Sequence, residues 1–351
     1  MQPHLMSTDG NVPENKTPDV PCCQPQMPVL AELLCSEPSD PDLLDSVSGT
    51  VNEDDGSVQS FFDPAILHHP EVMTRLRTLE SMMPQPKNYF VGSPKNDILP
   101  YMRKVVASWM LEVCEEQRCD EAVFPLAIGI LDQFLATCNI KKEQLQMVAC
   151  VCLLLASKSR QCNHFSLELL SWYTDNSVSP QSLRTWELVI LSQLNWDINV
   201  ITANDFVDFI LVRSANQGYS QGNKYSQIIR RHAVTFVALC STEPRFVGWK
   251  PSLIAASAIY TAMKGMRRED TKLATGLAEM ASVNVDQLMS ISASIDQVIS
   301  AEVGVVEQQT ADSPHARNVG ISATVAAKKA TSCGYEAATT RAPMDSQDIL
   351  V

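Results

Sequence analysis

The feature that most constrains this chain is a helical periodicity that opens at Met102 and continues, with few interruptions, to about residue 300. Val106, Trp109, Met110 and Val113 make one apolar stripe, and Leu126, Ile130 and Phe134 make another. Leu145, Val148, Ala149, Cys152 and Ala156 form a third, and Leu183, Trp186, Ile190 and Leu194 a fourth. Steps of three and four residues set these side chains along one side of an α-helix, a side that must be buried against something else. A shorter helix is predicted from Ser166 to Tyr173, which makes five. Convincing period-2 runs bounded by hairpin turns are not found, so no sheet is expected.

Punctuation along the chain divides it. Ser179-Pro180 supplies an N-cap followed by proline at the first helical position, and Thr202 with Asp205 resembles a capping-box start. The stretch from Trp196 to Thr202 is thus a junction between units. A second set of about five helices is predicted to start near Ala203, Lys224, Pro251, Thr271 and Val285, with Leu288, Ile291, Ile295 and Val298 as its last stripe. The expected fold is all-α, two consecutive five-helix units at 100–198 and 199–303. Before them lies an amphipathic stretch from Pro64 to Met83, with Ile66, Leu67, Val72, Leu76 and Leu79 at mixed helical spacing, followed by a connection that closes an N-terminal segment at 61–99. Residues 1–60 are acidic and rich in Pro and Ser, with Lys16 and His4 their basic side chains, and are expected to be disordered because they cannot bury enough apolar surface. A flexible tail is expected at 304–351, where small and polar residues replace the stripe.

The formal charge of −13 over 351 residues argues against a protein that works by neutralising phosphates, so nucleic acid is not an expected direct ligand. No signal peptide opens the chain and no apolar run is long enough to cross a bilayer, which points to a soluble intracellular protein without membrane contact. Eleven cysteines are an odd count, and many sit within apolar helical patterns, as reduced core thiols do. Cys114 with Cys119 and Cys150 with Cys152 lack the Cys-x-x-Cys spacing of structural zinc sites, so neither metal nor cofactor is expected. An all-helical pair of units fits many functions, and specific residues must carry the rest.

Those residues are found in the run from Met102 to Glu116, Met-Arg-Lys-Val-Val-Ala-Ser-Trp-Met-Leu-Glu-Val-Cys-Glu-Glu, which resembles the first helix of a cyclin box in its D-type form. The likeness continues through Val123 to Ala127, Leu131 to Leu135, Leu155-Ala156-Ser157-Lys158, Tyr173 to Ser177 and Leu194-Asn195-Trp196. Ile228 to Ala233 and Thr235 to Cys240 extend it into the second unit, so that it covers residues from about 60 to 300. The resemblance to D-type cyclins implies a non-enzymatic subunit that docks beside a cyclin-dependent kinase, pushes its regulatory helix inward and completes the Lys-Glu ion pair that phosphoryl transfer requires.

Carried onto this chain, the resemblance makes Lys158 and Glu187 kinase-binding residues and makes Arg103 and Asp132 an ion pair tying the first helix of the box to the second. Met102, Val106, Trp109 and Glu112 share one helix face and, with Leu145 and Gln146, match the patch that captures Arg-x-Leu motifs of substrates and of Cip/Kip-type inhibitors. Leu33, Cys35 and Glu37 fit the Leu-x-Cys-x-Glu motif that D-type cyclins use to bind retinoblastoma-family pocket proteins. In an extended peptide, residues at i, i+2 and i+4 point the same way, so two apolar groups and one carboxylate meet one surface. Two departures accompany the likeness. After Lys158 the chain reads Ser-Arg-Gln-Cys-Asn-His, with neutral Gln161 where the family carries an acidic residue, and Ala342 stands where a Thr-Pro site usually controls export and degradation. The implied setting is nucleus and cytoplasm, and the implied role is promotion of S phase.

Rival readings are testable on the same residues. A transcription-initiation factor with cyclin-like repeats needs a basic DNA-facing surface and commonly a zinc ribbon, and neither pattern is found. A transcription-type cyclin should lack the pocket-protein motif. An enzyme is not expected, since no phosphate loop, metal-ligand cluster or nucleophile-base arrangement emerges.

Overall fold

The computed structural model describes residues 64–83, 90, 97–216, 223–266 and 271–312. Among them lie twelve α-helices and no strand. Two short helices come first, α1 (Pro64–His68) and α2 (Pro70–Met82). The first unit comprises α3 (Pro100–Glu116), α4 (Val123–Thr137), α5 (Leu145–Arg160), α6 (Leu167–Tyr173) and α7 (Pro180–Gln193). The second comprises α8 (Asn204–Asn216), α9 (Asn223–Thr242), α10 (Pro251–Gly265), α11 (Thr271–Ala281) and α12 (Val285–Asp312).

The third helix of each unit is the hub. α5 packs on α3, α4 and α7, and α10 packs on α8, α9, α11 and α12. Both hubs are apolar on nearly every side: residues from Val148 to Ser157 and from Ala255 to Met263 are buried without a break. A helix that is apolar all round must be enclosed by others, which is why amphipathic helices of its own unit pack around each one. The boundaries follow local chemistry. The Ser166 and Ser179 hydroxyls accept the Leu169 and Ser182 amides at the starts of α6 and α7, and proline occupies the first turn of α2, α3, α7 and α10. At the start of α8 half of the expected box forms: the Asp205 carboxylate accepts the Thr202 amide, and it also accepts the Thr202 hydroxyl.

The two cores are separate clusters, yet polar side chains lock the units together. Arg103 in α3 sends Nη1 to the Ser241 and Thr242 carbonyls at the end of α9, 2.8 and 3.0 Å away. Lys104 pairs with the buried Glu243 just beyond, and Arg230 in α9 bonds Glu121 of the first unit as well as Asp208 of its own. Arg103 and Lys104 thereby satisfy carbonyls and a carboxylate that would otherwise be stranded where the units meet. The linker fits as closely: a Cβ at Gly129 of α4 would lie 2.8 Å from a methyl of Val200, so the absent side chain is what admits the linker.

The N-terminal helix departs from its apolar reading. Pro70 breaks the stretch: α1 ends at His68 and His69 caps α2 by accepting the Glu71 amide, so there are two helices. Ile66 and Leu79 are half exposed, whereas Met73 and Glu80 are buried and Met73 joins the core of the second unit. Glu80 accepts both the amide and the hydroxyl of Ser252, at 2.7 and 2.8 Å, and so caps α10 from 172 residues away. The last helix also runs beyond the boundary drawn at 304, to Asp312. A helix already nucleated extends at little cost through residues such as Glu307, Gln308 and Gln309, whose intrinsic helix propensity is high. The leader and the tail after 312, with Ala342, lie outside the described residues.

Candidate functional site

Lys158 and Glu187 are brought together. Lys158 is in the last turn of α5 and Glu187 is mid-way along α7, and the Lys158 Nζ donates to both Glu187 oxygens at 3.1 and 3.4 Å. Their side chains are 26% and 15% exposed, so an approaching molecule can reach an ion pair whose geometry is already set. Ordering two long side chains in advance removes part of the entropy cost of binding through them. The segment after Lys158 is braced internally: the Gln161 amide oxygen accepts the Asp120 amide at 3.1 Å and its nitrogen donates to the Asn163 carbonyl at 2.5 Å. The neutral side chain that departs from the D-type pattern therefore holds the α3–α4 turn.

Arg103 and Asp132 form a buried bidentate pair, Nε to Oδ1 at 2.9 Å and Nη2 to Oδ2 at 2.8 Å. Sequence reasoning placed this pair within one unit and missed the Arg103 bonds to Ser241 and Thr242, because a pattern of faces does not show which distant helix end a side chain will meet.

The face of α3 is graded. Met102 and Trp109 are half buried and Glu112 is exposed, but Val106 is only 7% exposed and serves as floor. Leu145 is likewise buried at the start of α5, with Gln146 exposed beside it, and α3 packs on α5. Sequence reasoning missed Val105, which is 66% exposed three residues after Met102 and four before Trp109, and Tyr101, which is 61% exposed. Their spacing could have identified them, since i, i+3 and i+4 positions share a helix face. An apolar strip with an acidic rim suits an extended peptide carrying a basic and an aliphatic residue. Leu33, Cys35 and Glu37 lie outside the described residues.

A cavity of about 120 Å³ opens where the units meet, between Glu80, Asp132, Val200, Ser241 and Trp249. Drug-sized ligands occupy roughly 300–1,000 Å³, so this space is too small for an organic cofactor. The buried thiols of Cys150, Cys152 and Cys240 are held protonated by desolvation, that of Cys150 up to about 12, which makes them core groups. No group of three or more His, Cys, Asp or Glu able to hold a metal occurs among the described residues.

Comparison with known proteins accounts for this arrangement. Residues 71–199 match the family described as Cyclin, N-terminal domain, and residues 201–320 match Cyclin, C-terminal domain. A chicken protein named G1/S-specific cyclin-D2 is 38% identical over 264 residues, covering 73% of this chain and 89% of its own length. The human G1/S-specific cyclin-D3 is 38% identical over 255 residues, covering 72% and 85%. A viral cyclin from herpesvirus saimiri superposes with a TM-score of 0.57 at 22% identity, covering 65% of this chain and 96% of its own, which speaks to fold. The chain belongs to the cyclin family, in its D-type branch.

Proposed function

We propose that this protein is a regulatory subunit that binds and activates a cyclin-dependent serine/threonine kinase, directs it to retinoblastoma-family proteins and promotes progression into S phase. The observation that carries the reading is the partly exposed Lys158–Glu187 pair, set at the end of α5 and on α7 in a chain of the D-type branch. Activation requires only that this surface bind the active form of the kinase better than the inactive one, because a differential affinity shifts the equilibrium by its own size. A helical platform whose two units are tied by Arg103, Lys104 and Arg230 presents that surface with little freedom to relax. The α3 strip of Met102, Val105 and Trp109 would receive Arg-x-Leu segments of substrates and of Cip/Kip-type inhibitors. Leu33, Cys35 and Glu37 would recruit the pocket protein, and the complex would act in nucleus and cytoplasm. The relatives' name, G1/S-specific, supports this timing.

The test is kinase activity on a retinoblastoma-protein fragment after mixing the purified chain with catalytic subunits specific to D-type cyclins and with one transcriptional kinase. Activation of the former is expected. Activation of the transcriptional kinase alone would overturn the reading in favour of a transcription-type cyclin.

A further inference from the structure

The turn that ends α3 brings two cysteines face to face. Arg118 adopts φ 49°, the left-handed conformation that stops a helix, and the Arg118 amide donates to the Glu115 carbonyl while the Cys119 amide donates to the Cys114 carbonyl at 2.9 Å. This pair of bonds defines a Schellman motif, in which the residue three from the helix end and the second residue beyond it pack side chain on side chain. Here those two residues are Cys114 and Cys119. The 2.9 Å bond leaves their Cα atoms at most about 7 Å apart by backbone dimensions, close to the outer limit of the roughly 4.4–6.8 Å that a disulfide spans. Five residues of separation hid this from spacing arguments, which compare cysteines with metal motifs.

The two thiols are unequal. Cys114 is buried and Cys119 is half exposed. The neighbouring Cys119 sulfur raises Cys114, an effect burial reinforces, while the Cys114 sulfur lowers Cys119 against the opposing pull of burial; Gln161 also lowers Cys119. A reachable thiol whose ionisation is eased by a partner thiol beside it is the arrangement of a peroxidatic and a resolving cysteine. Cys150, Cys152 and Cys240 lack it, being buried and pushed upward by desolvation.

We propose that Cys114 and Cys119 form a dithiol modification site, oxidised by hydroperoxides to a disulfide within the turn and able to chelate trivalent arsenicals. The Cys119 thiolate attacks one oxygen of the hydroperoxide. An S–O bond forms, the O–O bond breaks, and the alcohol or water leaves with a proton from solvent. The Cys114 sulfur, its proton passed to solvent, then attacks the Cys119 sulfenic sulfur. The S–S bond forms, the S–O bond breaks and the departing oxygen leaves as water, so the thiols lose the two electrons that the hydroperoxide gains.

Trypsin supplies the test, because Arg118 lies between the two cysteines. The reduced, folded chain is treated with hydrogen peroxide, alkylated, digested and analysed without reduction. Peptides 105–118 and 119–141 are expected as one linked species in the parent chain and in Cys162→Ser, and as separate peptides in Cys119→Ser. Phenylarsine oxide should protect both cysteines from alkylation at one equivalent, with protection lost in Cys119→Ser. Linkage of Cys119 to the 161–184 peptide that carries Cys162, linkage to Cys138 within 119–141, or separate peptides with Cys119 overoxidised would each overturn the proposal. Cys119 is partly exposed and serine nearly matches it in size, so the serine variant is expected to keep the fold while removing the nucleophile.

Discussion

Arg103 and Asp132 meet fork to fork with side chains 2% and 9% exposed, and the nitrogen that Asp132 leaves over is the one that holds the second unit. A single guanidinium thus joins three helices, a task that lysine, with its point charge, could not perform. Removing one member of a buried pair strands the other, at a cost of about 3–5 kcal/mol, whereas replacing both by apolar groups is often neutral. Arg103→Met should therefore lower the unfolding free energy, measured by urea titration, by that order. The double variant Arg103→Met with Asp132→Leu should recover part of the loss and not all, because the Ser241 and Thr242 carbonyls remain without their donor.

Glu80 is the corresponding tie for the N-terminal helix. Glutamine at this position keeps an acceptor but turns an N–H group toward donors that both need acceptors, and leaving a buried donor unsatisfied costs about 1–3 kcal/mol. Glu80→Gln is expected to loosen α2, seen as faster proteolysis at Arg75 and Arg77, with little change in the melting of the two units.

How much of this was legible beforehand differs by element. The ten helices of the two units follow from apolar periodicity, since the stripe that a helix must bury is written in its own residues, and serines at 166 and 179 act as caps because capping is a local interaction. Arg103 was recognisable as a partner of Asp132, but its reach to Ser241, 138 residues on, depends on how one unit sits against the other. The same holds for Glu80 and Ser252. Leu79 is exposed although apolar because α2 turns Met73 and Glu80 inward instead, and Val105 was passed over because the stripe that identifies a core says nothing of the apolar residues beside it.

Lys158 and Glu187 are partly exposed, so their pairing contributes only about 0.3–1 kcal/mol to stability. Lys158→Met should melt near the parent temperature. Lys158→Glu sets two carboxylates side by side at a proposed interface, and changes to charge pairs there cost about 2–5 kcal/mol, roughly 30- to 5,000-fold in affinity. A pull-down with the kinase should show nearly complete loss for the glutamate variant; retention at the parent level would remove Lys158 from the interface.

Gly129 and Val200 should show coupling. Alanine normally favours a helix interior over glycine by about 1 kcal/mol, but here its Cβ would press on the stiff, β-branched Val200. Gly129→Ala should destabilise the chain, and adding Val200→Ala should restore much of the loss. The double-mutant cycle measures the interaction directly, and simple additivity would contradict the close approach.

The cap that Glu80 places on α10 has a consequence for synthesis. The carboxylate and its partner Ser252 are 172 residues apart, and at roughly 5–20 residues per second a ribosome needs on the order of ten to thirty seconds to make that interval. Through that time Met73 and Leu76 emerge with no core to enter, for theirs belongs to the unit made last. The nascent chain carries a sticky N-terminal segment past a first unit that can already fold, which makes α2 the natural place for a chaperone to hold.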